Sequence, residues 1–178
     1  MRMLPLLLLG ASLLPRAGLA QSHSPVLDAL RHQAERAQRN LVSAAESMPA
    51  EKFGFKPTPA QMSFGELVLH VAGANDFMCS TISGTKAPAE PEVQPTAKKA
   101  ALIARVNRSF AFCTTALAKV GDDGLGETVP FFGGRTISRA GAVLDLAADW
   151  ADHYGASAIY LRLNGILPPT AKKAGASE

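Results

Sequence analysis

Apolar residues recur at three- and four-residue steps along much of the chain, which is the spacing of one face of an α-helix. The first such stretch follows Ser24, a capping residue, and Pro25, which a helix tolerates best in its first turn. Pro49 closes it. The pattern predicts a first helix whose apolar stripe consists of Leu27, Leu30, Ala34, Ala37, Leu41, Ala45 and Met48.

A second helix is predicted from the segment MSFGEL onward. Ser63 and Glu66 have the three-residue spacing of a capping box, in which each side chain bonds the main chain of the other. The helix should run to about Ser83, because Gly84 follows as a terminator.

Two more helices follow. The third starts near Thr96, after the proline-rich segment KAPAEPEVQPT, and ends at Gly121. The fourth runs from about Ser138 to Asn164, with Gly165 as its cap and a double proline beyond. The predicted stripe of the third helix consists of Ile103, Val106, Phe110, Cys113, Leu117 and Val120.

Four amphipathic helices in one chain predict an all-α fold, a four-helix bundle that occupies residues 21–169. The segment GDDGLGETVPFFGGRT, between the last two helices, is too rich in glycine for a helix and predicts either a short strand pair or a loop. Residues 170–178 lack apolar side chains that could pack, so we expect a disordered tail.

The first twenty residues have the layout of a secretory signal peptide: a basic start at Arg2, a leucine-rich stretch, and small residues at Gly18 and Ala20. We therefore expect an exported protein, periplasmic or secreted. An uncleaved anchor is the alternative. The apolar run is shorter than the roughly 20 residues that span a bilayer, so no stable membrane insertion is expected after cleavage.

Net charge excludes one class of partner. The leader contains two of the 18 basic residues and none of the 15 acidic ones, so the remaining chain carries 16 against 15. That balance, without a basic stripe or a nucleic-acid-binding motif, predicts that nucleic acid is not a partner.

Two of the four histidines fall within predicted helices at positions suited to chemistry. His23 lies at the start of the mature chain, and His32 falls off the apolar stripe of the first helix and is expected to be solvated. His70 lies within the second helix, and His153 within the fourth.

The fourth helix also carries a carboxylate on the same face as its histidine. Asp149 and His153 are four residues apart, so they project from one side of this helix. Two imidazoles and one carboxylate match a catalytic zinc or a non-haem iron site. From spacing alone the alternative stays open, because a single His or Asp on a helix is more often a core or surface residue.

Cys79 and Cys113 lie on different predicted helices. Cys79 is half a turn out of phase with His70, which excludes it from a shared ligand set. In an exported protein two such cysteines favour one disulfide, and two buried free thiols are the alternative. We expect structural roles for Tyr160 and Arg162 near the end of the fourth helix, and a partner helix or subunit against Trp150.

Two stretches carry a family resemblance. Residues 48–84 and 149–169 contain, in order, a Met-Pro helix end, KPTP, SFGEL with a downstream His, HYG, and YLRLNGILPP. These motifs resemble the DinB family of small helical metalloproteins over residues 25–169. The resemblance implies a four-helix bundle with a metal triad: one His from the second helix and an H-x-x-x-H pair from the fourth.

Carried over residue by residue, the triad becomes His70, Asp149 and His153, so aspartate stands where the family pattern most often has histidine. Carboxylate is an acceptable ligand for a divalent metal ion, whether zinc, nickel, manganese or iron, and favours harder metals. The alternative is that the substitution marks a site that has lost its metal. Asp152 is a candidate to hold a ligating histidine by a hydrogen bond.

The resemblance implies two classes of function. One is a metal-dependent hydrolase or thiol transferase acting on a small molecule, since the family includes enzymes that use the metal to activate a low-molecular-weight thiol. Export argues against the thiol version, because such thiols are scarce outside the cytoplasm. The other is a non-catalytic binding module with a structural, vestigial or absent metal site. A homodimer is compatible with the fold, although no heptad is long enough to establish it.

Overall fold

The computed structural model describes residues 24–172. The predicted signal peptide, residues 1–20, lies outside this range, as do residues 173–178. Within the range the chain forms a four-helix bundle, which confirms the predicted all-α class. The helices are α1 (Pro25–Ser47), α2 (Phe64–Ser83), α3 (Lys99–Leu117) and α4 (Arg139–Leu163).

The glycine-rich segment before α4 contains an antiparallel strand pair, so the first of the two predicted alternatives is correct. Strand β1 (Thr128–Pro130) pairs with β2 (Thr136–Ser138), with Val129 opposite Ile137. Val129 is buried, and the hairpin packs against both α2 and α4.

The start of α1 is capped by a distant residue rather than by the predicted one. Ser24 makes no side-chain capping bond. Instead, the carboxylate of Asp122 accepts hydrogen bonds from the main-chain N–H groups of Val26 and Leu27, at 2.9 and 3.0 Å. The Ser24 hydroxyl accepts from the Asp122 N–H. Asp122 lies 96 residues beyond Val26, so no local pattern could have identified it.

The predicted capping box of α2 is confirmed. The Ser63 hydroxyl accepts from the Glu66 N–H, and the Glu66 carboxylate accepts from the Ser63 N–H. These bonds, with Lys56 nearby, hold the pKa of Glu66 below its usual value. Gly84 ends the helix in the left-handed conformation, with φ 68°.

Helix α3 is shorter than predicted. It begins at Lys99 and ends at Leu117, where the guanidinium of Arg31 from α1 donates to the Leu117 carbonyl at 2.9 and 3.1 Å. The predicted stripe is wrong at its first position: Leu102 is fully buried, whereas Ile103 is only partly buried. Leu102 stands four residues before Val106 and continues the same face of the helix toward its start.

A buried polar network crosses the core between three helices. The Asn75 side chain on α2 accepts from the indole N–H of Trp150 on α4 at 2.7 Å and donates to the Ser109 hydroxyl on α3 at 3.0 Å. Asn75 and Trp150 are almost completely buried. The prediction that Trp150 faces a partner helix is therefore confirmed, and the network sets the rotation of α4 against α2.

Cys79 and Cys113 form a disulfide between α2 and α3, with a Cα–Cα distance of 5.3 Å. Both residues are fully buried. The disulfide alternative is therefore confirmed over two free thiols.

The residues around the start of the predicted tail contact α4. Residues Pro169–Ala171 form a 3-10 turn, and the Thr170 hydroxyl lies 2.8 Å from the Tyr154 hydroxyl of α4. The disorder expected for residues 170–178 stays a prediction, and residues 173–178 lie outside the described range. Among residues 24–172, no helix has the combination of length and apolar character that crossing a bilayer requires.

Candidate metal centre

The three predicted ligands meet between α2 and α4. His70 from α2 and His153 from α4 have ring centroids 4.8 Å apart. One ligand atom from each of His70, Asp149 and His153 lies within 4.8 Å of the other two. Ligand atoms bound to one metal at about 2.0–2.2 Å lie closer to one another than this, so the three side chains would draw together on binding.

The imidazole of His153 is oriented for ligation. Its Nδ1 lies 2.7 Å from the main-chain carbonyl oxygen of Asp149. Because a carbonyl only accepts, Nδ1 carries the proton, and the lone pair of Nε2 remains available for a metal. The predicted alternative, in which Asp152 holds a histidine, is not what the structure shows for His153.

One oxygen of the Asp149 carboxylate lacks a partner. The side chain is 25% exposed, its Oδ1 lies 3.3 Å from Nδ1 of His153, and its Oδ2 is buried without a hydrogen-bond partner. Burial raises the pKa of Asp149, nearby His153 and His70 oppose that rise, and the Asp152 carboxylate adds to it. A buried acceptor left without a partner costs free energy that a cation would recover. The residues present therefore fit a divalent metal.

The cluster reaches solvent at one residue. His70 is exposed, whereas Asp149 and His153 are partly buried. Three candidate ligand residues that border solvent at His70 are compatible with an exogenous ligand, as in catalytic rather than closed structural sites.

Other residues singled out in the sequence lie apart from this cluster. The Tyr160 hydroxyl donates to the Met62 carbonyl at 2.7 Å, which is a structural role. His32 is exposed on α1, as expected. Cys79 is in the disulfide and takes no part in the ligand set.

Sequence reasoning missed Asn75, which bonds the residue next to Asp149. The available signal was the position of Asn75, five residues after His70, at helical spacing from the apolar residues Val71, Met78 and Ile82 of α2. A buried amide in a helix interior must bond to something, and its partners lie on α3 and α4.

The fold and the cluster define a four-helix bundle with a candidate His/Asp/His metal centre between its second and fourth helices. The chain belongs to the DinB superfamily, whose profile matches residues 33–156. The resemblance noted in the sequence is thereby confirmed. Among curated protein sequences, none matches this chain.

Solved structures share the fold. A DinB-like protein from Bacillus subtilis is 17% identical, with a TM-score of 0.65, over 82% of this chain and 99% of its own. A DinB family member from Exiguobacterium sibiricum is 22% identical, with a TM-score of 0.61, over 80% and 93%. The mycothiol-dependent maleylpyruvate isomerase is 18% identical, with a TM-score of 0.56, over 72% of this chain and 59% of its own.

Proposed function

We propose that this protein binds one divalent metal ion through His70, Asp149 and His153 and acts on a small electrophilic molecule where that site borders solvent. The observation that carries the proposal is the buried, unpartnered Oδ2 of Asp149 beside two imidazoles. A bound divalent metal would supply Lewis-acid activation of water or of a thiol.

The protein's own groups have definable tasks in such a site. The Asp149 carbonyl keeps the proton of His153 on Nδ1, and so keeps Nε2 free. The Asp149 carboxylate offsets part of the metal's charge and favours harder metals such as manganese or iron more than a third imidazole would. Exposed His70 closes the triad from the opposite helix and borders the side from which a small molecule enters.

We further propose export, and with it hydrolysis in preference to thiol transfer. Two features support this: the leader-like residues 1–20, and the buried disulfide, which is typical of oxidising compartments. Cell fractionation tests export directly. Recovery of the whole pool in the cytoplasm with residues 1–20 still attached would contradict it.

The first experiment measures metal content by mass spectrometry on protein purified without an affinity tag. We expect about one metal per chain in the wild type and its loss in His70→Ala and Asp149→Ala. His32→Ala is the matched control, because it removes an exposed histidine from α1 and should keep the metal. Metal retained in His70→Ala would overturn the assigned site.

A second measurement separates a functional metal from a structural one. Chelation of a structural ion lowers stability strongly, because binding free energy is then folding free energy. The described bundle has its own apolar core and a disulfide, so we expect chelation to leave the melting temperature nearly unchanged. A large drop would favour the non-catalytic alternative.

Thiol transfer is the second candidate reaction, and the structural likeness to the mycothiol-dependent isomerase is the observation that favours it. Cobalt-substituted protein titrated with 2-mercaptoethanol tests it. A thiolate-to-cobalt charge-transfer band would support this reaction, and an unchanged spectrum would favour water as the nucleophile.

A further inference from the structure

Three phenylalanine side chains meet beside the hairpin, and we call them the aromatic cluster: Phe77 and Phe131, which are partly buried, and Phe132, which is exposed. Phe77 of α2 stacks on Phe132 with centroids 4.0 Å apart and planes 26° apart. Phe131 meets Phe132 edge to face at 4.9 Å. Phe132 is 48% exposed, so one ring of the cluster faces solvent and is accessible to a ligand.

The tip of the hairpin holds these rings in a fixed arrangement. Gly133 and Gly134 both have positive φ, 66° and 73°, which permits the tight reversal. The Phe131 N–H donates to the Arg135 carbonyl at 2.7 Å. The Arg135 guanidinium lies 5.5 Å from the Phe131 centroid, and its Nε donates to the Phe132 carbonyl. A ring held in place before binding loses less freedom when a ligand stacks on it.

The aromatic cluster is continuous with the candidate metal centre along α2. Phe77 follows His70 by seven residues, two helical turns, so both lie on one face about 10 Å apart along the axis. Gly73 lies between them, and a Cβ built there would meet no atom within 4 Å. The strip of helix surface joining the metal ligand to the rings is therefore open.

We propose that the aromatic cluster is the second half of the binding site and selects ligands with an aromatic ring about 10 Å from their metal-binding group. This inference rests on the proposed metal function. The metal end recognises a lone-pair donor, and the phenylalanine end recognises a flat apolar ring. The ligand class is thus an arylalkyl compound rather than a small polar acid.

Hydroxamates provide matched probes. Binding to the zinc-loaded protein is measured by calorimetry for acetohydroxamate, for a phenylalkyl hydroxamate with about four to six methylenes to cover the distance, and for an alkyl hydroxamate of equal length without the ring. We expect the ring to improve affinity about tenfold over the plain alkyl chain.

Substitutions show which residues produce the gain in affinity from the aromatic ring. Phe132→Ala should abolish the ring's contribution and leave acetohydroxamate binding unchanged, and exposed Phe132 can be removed without opening the core. Gly73→Leu, which fills the open strip, should weaken only the long probes. Leu167→Ala is the control, since it removes an exposed apolar side chain beyond the end of α4 and should change nothing.

The outcomes separate the two proposals. If acetohydroxamate binds but the ring adds nothing, or if the gain survives Phe132→Ala, the aromatic subsite is wrong and the metal function stands. If no hydroxamate binds and no metal is retained, both are overturned.

Discussion

Both the main chain and the side chain of Asp149 lie against Nδ1 of His153, with the carbonyl oxygen at 2.7 Å and Oδ1 at 3.3 Å. The bond to the carbonyl is the shorter of the two, and it does not depend on which side chain stands at 149. Residue 149 can therefore change the metal preference while its main chain still orients the neighbouring candidate ligand, which separates the two roles.

Asp149→His tests this separation. We expect the variant to retain metal but to bind manganese less well relative to zinc, because an imidazole replaces a hard anionic ligand. Asp149→Ala should weaken binding by about a hundredfold or more, since loss of a supporting residue alone typically costs tenfold to a hundredfold. Competition with a chromophoric chelator measures both. An unchanged manganese-to-zinc ratio in Asp149→His would mean that residue 149 does not ligate.

Two glycines in the family-like motifs have opposite environments. A Cβ on Gly65 would lie 2.6 Å from the Pro95 carbonyl oxygen, so SFGEL needs glycine for close packing. Gly155, in HYG, lies within α4, and a Cβ built there would meet no atom within 4 Å.

Alanine substitutions at the two positions should change the stability of the fold in opposite directions. We expect Gly65→Ala to destabilise the fold by about 1–3 kcal/mol through overpacking. Gly155→Ala should stabilise it by about 0.5–1 kcal/mol, because alanine has the higher helix propensity. Urea denaturation measures both. Equal effects at the two positions would contradict the packing explanation.

At the level of elements, the bundle is aligned by polar contacts as well as by its apolar stripes. Stripes tolerate small helix rotations, whereas the bonds of Asn75 to Trp150 and Ser109 are directional. Trp150 is the neighbour of Asp149 in the chain. The bond from Trp150 to Asn75 that fixes the rotation of α4 therefore also fixes the direction of the helix face that carries the candidate ligands Asp149 and His153.

A double-mutant cycle on this bond measures that coupling. Asn75→Leu leaves the buried indole N–H of Trp150 without an acceptor and should cost about 2–3 kcal/mol of unfolding free energy. In the Trp150→Phe background the same change should cost less, by about 1–2 kcal/mol, since no donor is then left unpaired. Additive effects would show that the two residues act independently.

At the level of the whole molecule, the disulfide joins α2 to α3 and closes a segment with a sequence separation of 34. That segment includes the proline-rich connection, residues 85–98, which contributes no helix or strand. The cross-link therefore restrains the longest irregular stretch of the described chain, between two helices that are also joined by packing and by polar contacts such as Asn75 with Ser109 and Asp76 with Arg105.

Removal of the disulfide should lower stability without removing the metal site. We expect the double substitution Cys79→Ala and Cys113→Ala to cost about 2–4 kcal/mol, chiefly through greater freedom of the unfolded chain. Metal content should be unchanged, because neither cysteine contacts the ligand set. Thermal unfolding under oxidising and reducing conditions checks this. Reduction should lower the melting temperature of the wild type and leave that of the double variant unchanged.

The sequence by itself determined the presence of four helices, the α2 capping box, and which two histidines are candidate ligands. These features depend on residues within about four positions of one another, and helix periodicity exposes them directly. It also indicated Asp149 and His153 as a pair, because one helix places them together whatever the tertiary fold.

Only the tertiary structure decided which residues far apart in the sequence come into contact. His70 and His153 are 83 positions apart, and their approach depends on how α2 and α4 are rotated, which Asn75 and Trp150 help to set. The Asp122 cap on α1, the burial of Leu102 over Ile103, and the stacking of Phe77 on Phe132 have the same origin. Helical periodicity specifies which residues share a face, but the packing of whole helices determines what that face meets.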